Sequence, residues 1–232
     1  MTIAAAPTSP LGASTELADA ATASSAATLA VDLGLVLAVD VSSSVDAGDF
    51  RMQMDGIASA LRDPSVHDAI ASGLHRQIAL ALVQWSNSSS QVMVLRWRIL
   101  ANPVDLEAAA NEIENAERHW QPGGTGLAAA LDYSTALLQA LSVTAERRVI
   151  DVSGDGEDND GGDASIARDR ALTRGITING LPIIYGSRYL LNYYHDQVIG
   201  GPGAFLEPAA DMRSFRDAML RKLLREIGEP VS

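Results

Sequence analysis

The sequence predicts an α/β fold, with a doubly wound, mostly parallel central sheet, one antiparallel edge strand and helices on both faces. Two observations lead to this prediction. Short apolar runs alternate with amphipathic segments along most of the chain, which is typical of a parallel sheet covered by helices. Two neighbouring apolar runs are instead separated only by a short polar turn, which indicates an antiparallel pair at one edge.

The first half of the chain begins with the clearest strand and helix. The strand covers residues 33–40, an apolar run that ends in Asp40. A helix follows from Asp46 to Leu61, with Asp46 as its N-cap and apolar residues at helical spacing. Pro64 is expected to end this helix. The first predicted βα unit therefore joins a buried strand to an amphipathic helix.

The next predicted elements are the edge hairpin and two helices. The hairpin strands cover residues 76–85 and 91–100. The pair Asn102-Pro103 begins a helix, because proline is favoured in the first helical turn. After a glycine-rich loop, a further helix is predicted from leucines that share one face: Leu127, Leu131, Leu138 and Leu141.

The second half of the chain contains three further predicted strands, at residues 148–153, 176–184 and 204–207. Between the first two of them, an acidic loop leads into a helix that ends near Arg174, and Gly175 is suited to the position after its end. The last helix has Asp211 as its N-cap, and Gly228 and Pro230 mark its end.

The composition divides the chain into a leader, one domain and a tail. Residues 1–31 are rich in Ala, Ser and Thr and are expected to be disordered, residues 32–228 to form a single domain, and residues 229–232 to be a tail. The leader lacks the basic start and compact apolar core of a signal peptide as written, although its small residues are compatible with a processed one.

Charge and residue usage exclude several classes of function. The formal net charge of −12 argues against a nucleic-acid partner, because phosphate binding needs a basic surface. The apolar runs are too short for a membrane span. The chain has no cysteine, which excludes disulfides, thiolate metal sites and cysteine nucleophiles.

The first candidate site follows the first strand, where Asp40, Ser42 and Ser44 stand at alternate positions. Ligands bind at the carboxyl ends of strands in open α/β sheets, and carboxylate and hydroxyl oxygens suit a hard cation such as Mg²⁺. Taken alone, the same segment is equally compatible with a helix N-cap and a polar turn. Two later loops favour the metal site, because Thr125 and Asp155 stand in glycine-containing turns expected at the same sheet edge.

These motifs resemble those of the von Willebrand factor A-type (vWA) domain and its metal-ion-dependent adhesion site (MIDAS). That family has Asp-x-Ser-x-Ser after the first strand, a Thr between the second and third helices, and an Asp after the fourth strand, and the resemblance spans roughly residues 32–228. Residues 192–194 and 199–205 are most similar to bacterial single-domain proteins of unknown function, the DUF1194-like group.

The resemblance implies a site and a kind of partner. Ser42, Ser44 and Thr125 would ligate Mg²⁺, or Mn²⁺ or Ca²⁺ in its place, while Asp40 and Asp155 would act mainly through bound water. A free coordination position would take an Asp or Glu carboxylate of a partner protein. Residues near the site are expected to contact this partner: Trp120, Gly124, Gly156 and Glu157. The family resemblance favours a periplasmic or secreted location, with the cytoplasm left open.

The sequence thus predicts a non-enzymatic binding module, with a metal-assisted hydrolase as the alternative. A hydrolase would use the same cation as a Lewis acid and would need a general base near it. No suitably placed His is evident among His67, His75, His119 and His195, which leaves only Asp46 and Glu157 as candidate bases.

The acidic loop 155–163 also invites comparison with a calcium-binding loop. An EF-hand loop that starts at Asp155 would need Gly at its sixth position and Glu at its twelfth, where the chain has Asp160 and Ile166. A solvated acidic loop is therefore the expected structure of residues 157–163, in preference to a second cation site.

Overall fold

The computed structural model describes residues 1–2, 29–119 and 123–228. In these residues one sheet has the strand order β3-β2-β1-β4-β5. Only the β2–β3 pair is antiparallel, and the other three pairs are parallel. The strands are β1 (Ala30–Asp40), β2 (Ile78–Trp85), β3 (Gln91–Leu100), β4 (Thr144–Gly154) and β5 (Ile176–Pro182). The predicted fold class is confirmed.

Helices cover both faces of this sheet and enclose two apolar cores. The helices are α1 (Ala47–Leu61), α2 (Pro64–Ala71), α3 (Pro103–Glu114), α4 (Leu127–Gln139), α5 (Ala164–Leu172), α6 (Arg188–Tyr193) and α7 (Phe215–Gly228). One core lies between the sheet and α1, α2, α3 and α7, and the other between the sheet and α4, α5 and α6. The strands whose carboxyl ends lead into the site loops are therefore packed on both faces.

Strand β1 lies at the centre of the sheet and is buried on both faces. Leu35 and Leu37 face the first core, whereas Val36 and Ala38 face the second, as the two-residue period of a strand requires. A strand between two covered faces has apolar side chains in both directions, which explains the continuous apolar run in the sequence. Its carboxyl end at Asp40 pairs with Trp85 of β2.

Several predicted elements differ from the structure. Pro64 does end α1, but it also begins the separate helix α2, with Asp63 as the N-cap. The predicted strand at 204–207 is wrong: Leu206 and Ala209 make only isolated bridges to the chain at Gly180 and Ile183. Helix α6 and the π-helix Tyr194–Val198 that follows it were not predicted.

Helix ends follow the predicted capping residues. The Asp46 side chain accepts a hydrogen bond from the Asp49 N–H at the start of α1. The Asn102 side chain accepts from Val104 and Asp105 at the start of α3. Gly175 has φ +69°, the left-handed conformation that favours glycine after a helix.

A buried polar cluster joins α7 to the sheet. The Lys222 ammonium lies 2.8 Å from Glu226 and 3.2 Å from Asp151 of β4, and all three side chains are buried. The amide of Asn179 on β5 donates two hydrogen bonds to Glu226. The chain's only lysine thus links the last helix to two strands from inside the core.

None of the helices in the described residues combines the length and the apolar character that a membrane crossing needs. The predicted leader and tail lie almost wholly outside the described residues, and the domain bounds at 32 and 228 stay a prediction.

Candidate metal centre

The loop after β1 folds around the Asp40 carboxylate. Asp40 Oδ1 accepts a 2.7 Å hydrogen bond from the Ser42 N–H, which turns the chain sharply at the strand end. The two serine hydroxyls lie 3.3 Å apart. Asp40 and Ser42 are buried, whereas Ser44 is exposed. The donors therefore extend from the sheet edge to the surface.

A hydrogen bond joins this loop to the end of β4. The Ser44 hydroxyl donates to Asp155 Oδ1 over 2.6 Å, between residues that are 111 positions apart in sequence. Because β1 and β4 are parallel neighbours, their carboxyl ends place these two loops side by side. The structure thus brings together four of the five predicted site residues: Asp40, Ser42, Ser44 and Asp155.

Thr125 reaches the same edge from the loop before α4. It is largely buried, and a Cβ placed on Gly156 would lie 3.5 Å from the Thr125 hydroxyl. Gly156 follows Asp155 directly, so the Thr125 hydroxyl lies beside the loop that follows β4. The third predicted motif therefore lies beside the second.

Side chains outside the three motifs hold the β1 loop in place. The Arg118 guanidinium donates to the carbonyls of Val41 and Ser42, each over 3.0 Å, and to that of Val45. The Gln53 amide donates to the Asp40 carbonyl over 3.2 Å. The loop conformation therefore depends on residues from the α3–α4 connection and from α1.

The acidic loop after β4 is not simply solvated, as the sequence predicted for residues 157–163. Asp158 accepts a hydrogen bond from the Ala128 N–H, Asn159 from the Thr125 N–H and Asp160 from the Ser88 N–H. Backbone N–H groups at the start of a helix and in tight loops lack partners of their own, which explains why polar side chains are held there. Asp163 caps α5.

Asp40 is the most strongly perturbed carboxyl group at this edge. Its burial raises its pKa to about 7, and hydrogen bonds from Ser42 offset only part of this effect. Asp40 Oδ2 is buried without a hydrogen-bond partner, and so is the Tyr194 hydroxyl. Both atoms lie within 3 Å of the point where a Cβ on Gly154 would stand, so only glycine fits there.

The donor set fits a hard cation. Three hydroxyls and two carboxylates are the oxygen ligands that Mg²⁺ prefers, and a nearby cation would favour the ionised form of the buried Asp40. The described residues contain no group of three or more His, Cys, Asp or Glu side chains placed to hold a metal ion. Binding here would therefore depend on the hydroxyl groups.

The residues predicted to contact a partner have different surroundings. Gly156 and Glu157 line a groove of about 320 Å³ beside Asp155, together with Tyr185 and Tyr189. Glu157 accepts a hydrogen bond from Tyr189. Gly124 is half-buried against the acidic loop, where a Cβ would come within 2.4 Å of Asn159 Oδ1. Trp120 lies outside the described residues.

Sequence reasoning missed residues that hydrogen-bond to the site segments, among them Gln53, Arg118 and Asn159. The sequence had placed Tyr194 near this edge, with packing as an equally good explanation. The Asp-Asn-Asp run at 158–160 was visible, but its composition indicated solvent exposure. The signal that could have placed it was its position soon after a predicted site residue, Asp155, where loops are expected to pack against one another.

Solved structures with the same fold include one described as von Willebrand factor type A. Proximal thread matrix protein 1 from the mussel byssus has a TM-score of 0.63 at 14% identity, over 86% of this chain and 49% of that one. A vWA protein from Catenulispora acidiphila has a TM-score of 0.58 at 16% identity, over 85% and 43%. The pilus adhesin SpaC from Lactobacillus rhamnosus GG has a TM-score of 0.59 at 14% identity, over 85% of this chain and 31% of that one.

The fold is therefore that of a vWA-type domain, and the chain spans half or less of each of these structures. The chain belongs to the family described as protein of unknown function (DUF1194), whose model matches residues 30–231. The predicted resemblance is thus confirmed for the fold and for the DUF1194 family. The search of curated proteins gave no match.

Proposed function

We propose that this protein is a metal-dependent interaction module that binds Mg²⁺ at the carboxyl edge of its sheet and, through it, a carboxylate of a partner protein. The observation that carries the proposal is the 2.6 Å hydrogen bond from Ser44 to Asp155. It joins two loops that are distant in sequence, at a surface open to an external ligand.

The five residues have two roles in this proposal. Ser42, Ser44 and Thr125 give hydroxyl oxygens to the cation, while Asp40 and Asp155 accept hydrogen bonds from water bound to it. Three of the five groups are neutral, so the cation stays attractive to a further anionic oxygen. Mg²⁺ keeps exchangeable water, which a partner carboxylate can replace. Mn²⁺ or Ca²⁺ would bind the same oxygen donors.

The structural neighbours agree with such a role. One form of the mussel byssus protein has a zinc-occupied MIDAS motif, with a TM-score of 0.61 at 12% identity. Another neighbour is a pilus adhesin. As part of the proposal, we assign the module to the periplasm or the outside of the cell, where an adhesion-type contact would form.

The hydrolase alternative has less support. Of the two candidate bases, Asp46 accepts the N-cap hydrogen bond of α1 and Glu157 accepts one from Tyr189. Both carboxylates are thus engaged in holding local structure. Metal-dependent hydrolysis of a phosphoester or an ester that is lost in Asp155→Ala would replace the binding module with this alternative.

The proposed carboxylate contact can be tested with two short peptides that differ in one group. With Mn²⁺-loaded protein, we expect the proton resonances of acetyl-Gly-Asp-Gly-amide to broaden, because its carboxylate enters the coordination sphere of the paramagnetic ion. The Asn peptide, which lacks the charge, should stay sharp. Nuclear magnetic resonance linewidths measure both.

The control for this test is the Asp155→Ala protein at the same Mn²⁺ concentration, which accounts for direct binding of the ion to the peptide. Equal broadening of the Asp peptide by both proteins, or of the Asp and Asn peptides by wild type, would contradict a carboxylate-binding metal site.

A further inference from the structure

We propose that Asn159 is a positioning residue for the metal site, which sets the Thr125 hydroxyl in place for the cation. This inference rests on the proposed function, because it assigns Thr125 its role as a ligand. Asn159 belongs to the acidic loop that follows Asp155, and it would act on the metal only through Thr125.

Asn159 holds Thr125 from both sides of the threonine's backbone. Its side-chain oxygen accepts a 2.7 Å hydrogen bond from the Thr125 N–H, and its own N–H donates to the Thr125 carbonyl over 3.0 Å. Two reciprocal bonds to one residue fix both the position and the orientation of its backbone, and hence the direction of its Cα–Cβ bond, from which the hydroxyl extends.

The neighbours of Asn159 extend this contact over two more segments. Asp158 accepts from the Ala128 N–H in the first turn of α4, where the N-cap residue Gly126 has no side chain to do so. Asp160 accepts from the Ser88 N–H in the β2–β3 turn. Three successive residues therefore attach the Thr125 loop, α4 and the hairpin to the end of β4.

Thr125 needs such an anchor because glycines flank it. Gly123 has φ +149°, and Gly124 and Gly126 also lack side chains that could limit the loop. Gly124 packs so closely that a Cβ would lie 2.4 Å from Asn159 Oδ1. The glycines let the loop approach Asn159, and the hydrogen bonds to Asn159 then restrict the loop to one conformation.

The test compares Mg²⁺ affinities by calorimetry in the intact protein. Asn159→Ala removes the acceptor and should weaken Mg²⁺ binding about 10-fold or more, the usual effect of losing a residue that orients a metal ligand. Asn159→Asp keeps an oxygen at the same place and should bind within about 3-fold of wild type, since the contact is retained. Asn159→Gln moves the oxygen by one methylene and should weaken binding as Ala does.

The matched control is Asn102→Ala at the start of α3. The Asn102 side chain accepts two backbone N–H groups, whereas that of Asn159 accepts one. Asn102 follows Leu100, which pairs with Ile78 at the amino end of β2, away from the candidate site. This variant should unfold at a lower temperature, because it loses an N-cap, and should keep its Mg²⁺ affinity. A loss of affinity in Asn102→Ala equal to that in Asn159→Ala would reduce the role of Asn159 to general stability and overturn the inference.

Amide hydrogen exchange in EDTA tests the contact between Asn159 and Thr125 in the absence of metal, while Mg²⁺ binding by wild type tests the proposed function. Exchange at the Thr125 N–H should accelerate in Asn159→Ala and not in Asn102→Ala. If wild type and Asn159→Ala bind Mg²⁺ with equal affinity, the positioning role alone is overturned. If wild type binds no Mg²⁺, the proposed function is overturned, and the positioning role with it. This holds even if the exchange result is as expected.

Discussion

Asp155→Ala is expected to abolish the stabilisation of this protein by Mg²⁺ while leaving its fold intact. Asp155 stands at the surface end of the candidate site, and its described side-chain hydrogen bond comes from Ser44. Its removal takes away one of only two charged groups that face the cation, and a loss of about 100-fold in affinity is expected for such a group.

Thermal unfolding with and without Mg²⁺ measures this effect. At a Mg²⁺ concentration of 100 times the Kd, wild type should gain about 2.7 kcal/mol, or roughly 5–10 °C in Tm for a domain of this size. Asp155→Ala, with a Kd about 100-fold higher, should gain only about 0.4 kcal/mol, or about 1–2 °C, under the same conditions. Asp68→Ala, which removes an exposed carboxylate from α2, is the control and should respond as wild type does. An equal Mg²⁺ response in Asp155→Ala would exclude the residue from the site.

Lys222→Met is expected to cause the largest loss of stability among the substitutions considered. The side chain is fully buried between Asp151 and Glu226, and its removal leaves two carboxylates in the core without their cation. Breaking a buried ion pair in this way costs about 3–5 kcal/mol. Urea denaturation measures the change. The control is Arg221→Met, the neighbouring exposed cation on α7, which pairs with Glu207 and should cost about 1 kcal/mol or less.

The effect of Lys222→Met should also depend on pH. Burial raises the pKa of Asp151 from 3.8 to about 7, and Lys222 opposes this shift. A carboxyl group with a raised pKa in the folded state favours folding at low pH, and this contribution is lost as pH rises from about 4 to 7. Without Lys222 the pKa rises further, so the variant should lose less stability near pH 5 than near pH 8. A loss that is the same at both pH values, or below about 1 kcal/mol, would contradict the role given to the cluster.

The sequence was most informative where chemical demands on a segment leave few alternatives. Strand β1 is buried on both faces, so nearly every position must be apolar, and the run stood out for that reason. The Asp-x-Ser-x-Ser motif directly after it could be placed at the sheet edge, because parallel strands end there together. The antiparallel edge hairpin was predictable because only five residues separate β2 from β3.

Local patterns failed where tertiary contacts decide the structure. The segment 204–207 has strand-like residues, yet it makes only isolated bridges beside β5. Helix α6 and the π-helix after it are short, and short helices are held mainly by packing, which the sequence pattern does not reveal. Helix α2 was hidden because a proline both ends one helix and begins the next.

The supporting residues of the site were unpredictable for a related reason. Asn159 and Arg118 act on backbone groups that are distant in sequence, in loops with no regular period. Acidic residues such as Asp158 and Asp160 are usually solvated, so their composition pointed to an exposed loop. Only the folded arrangement reveals that the loop after Asp155 holds the helix and the turn beside it.

The most direct test of the metal site is the anomalous scattering of Mn²⁺ in crystals of the protein grown with that ion. We expect a single strong peak at this edge, about 2 Å from the hydroxyl oxygens of Ser42, Ser44 and Thr125. A well-ordered site with no peak beside these hydroxyls, or a peak on the carboxylates of residues 157–163 instead, would contradict it.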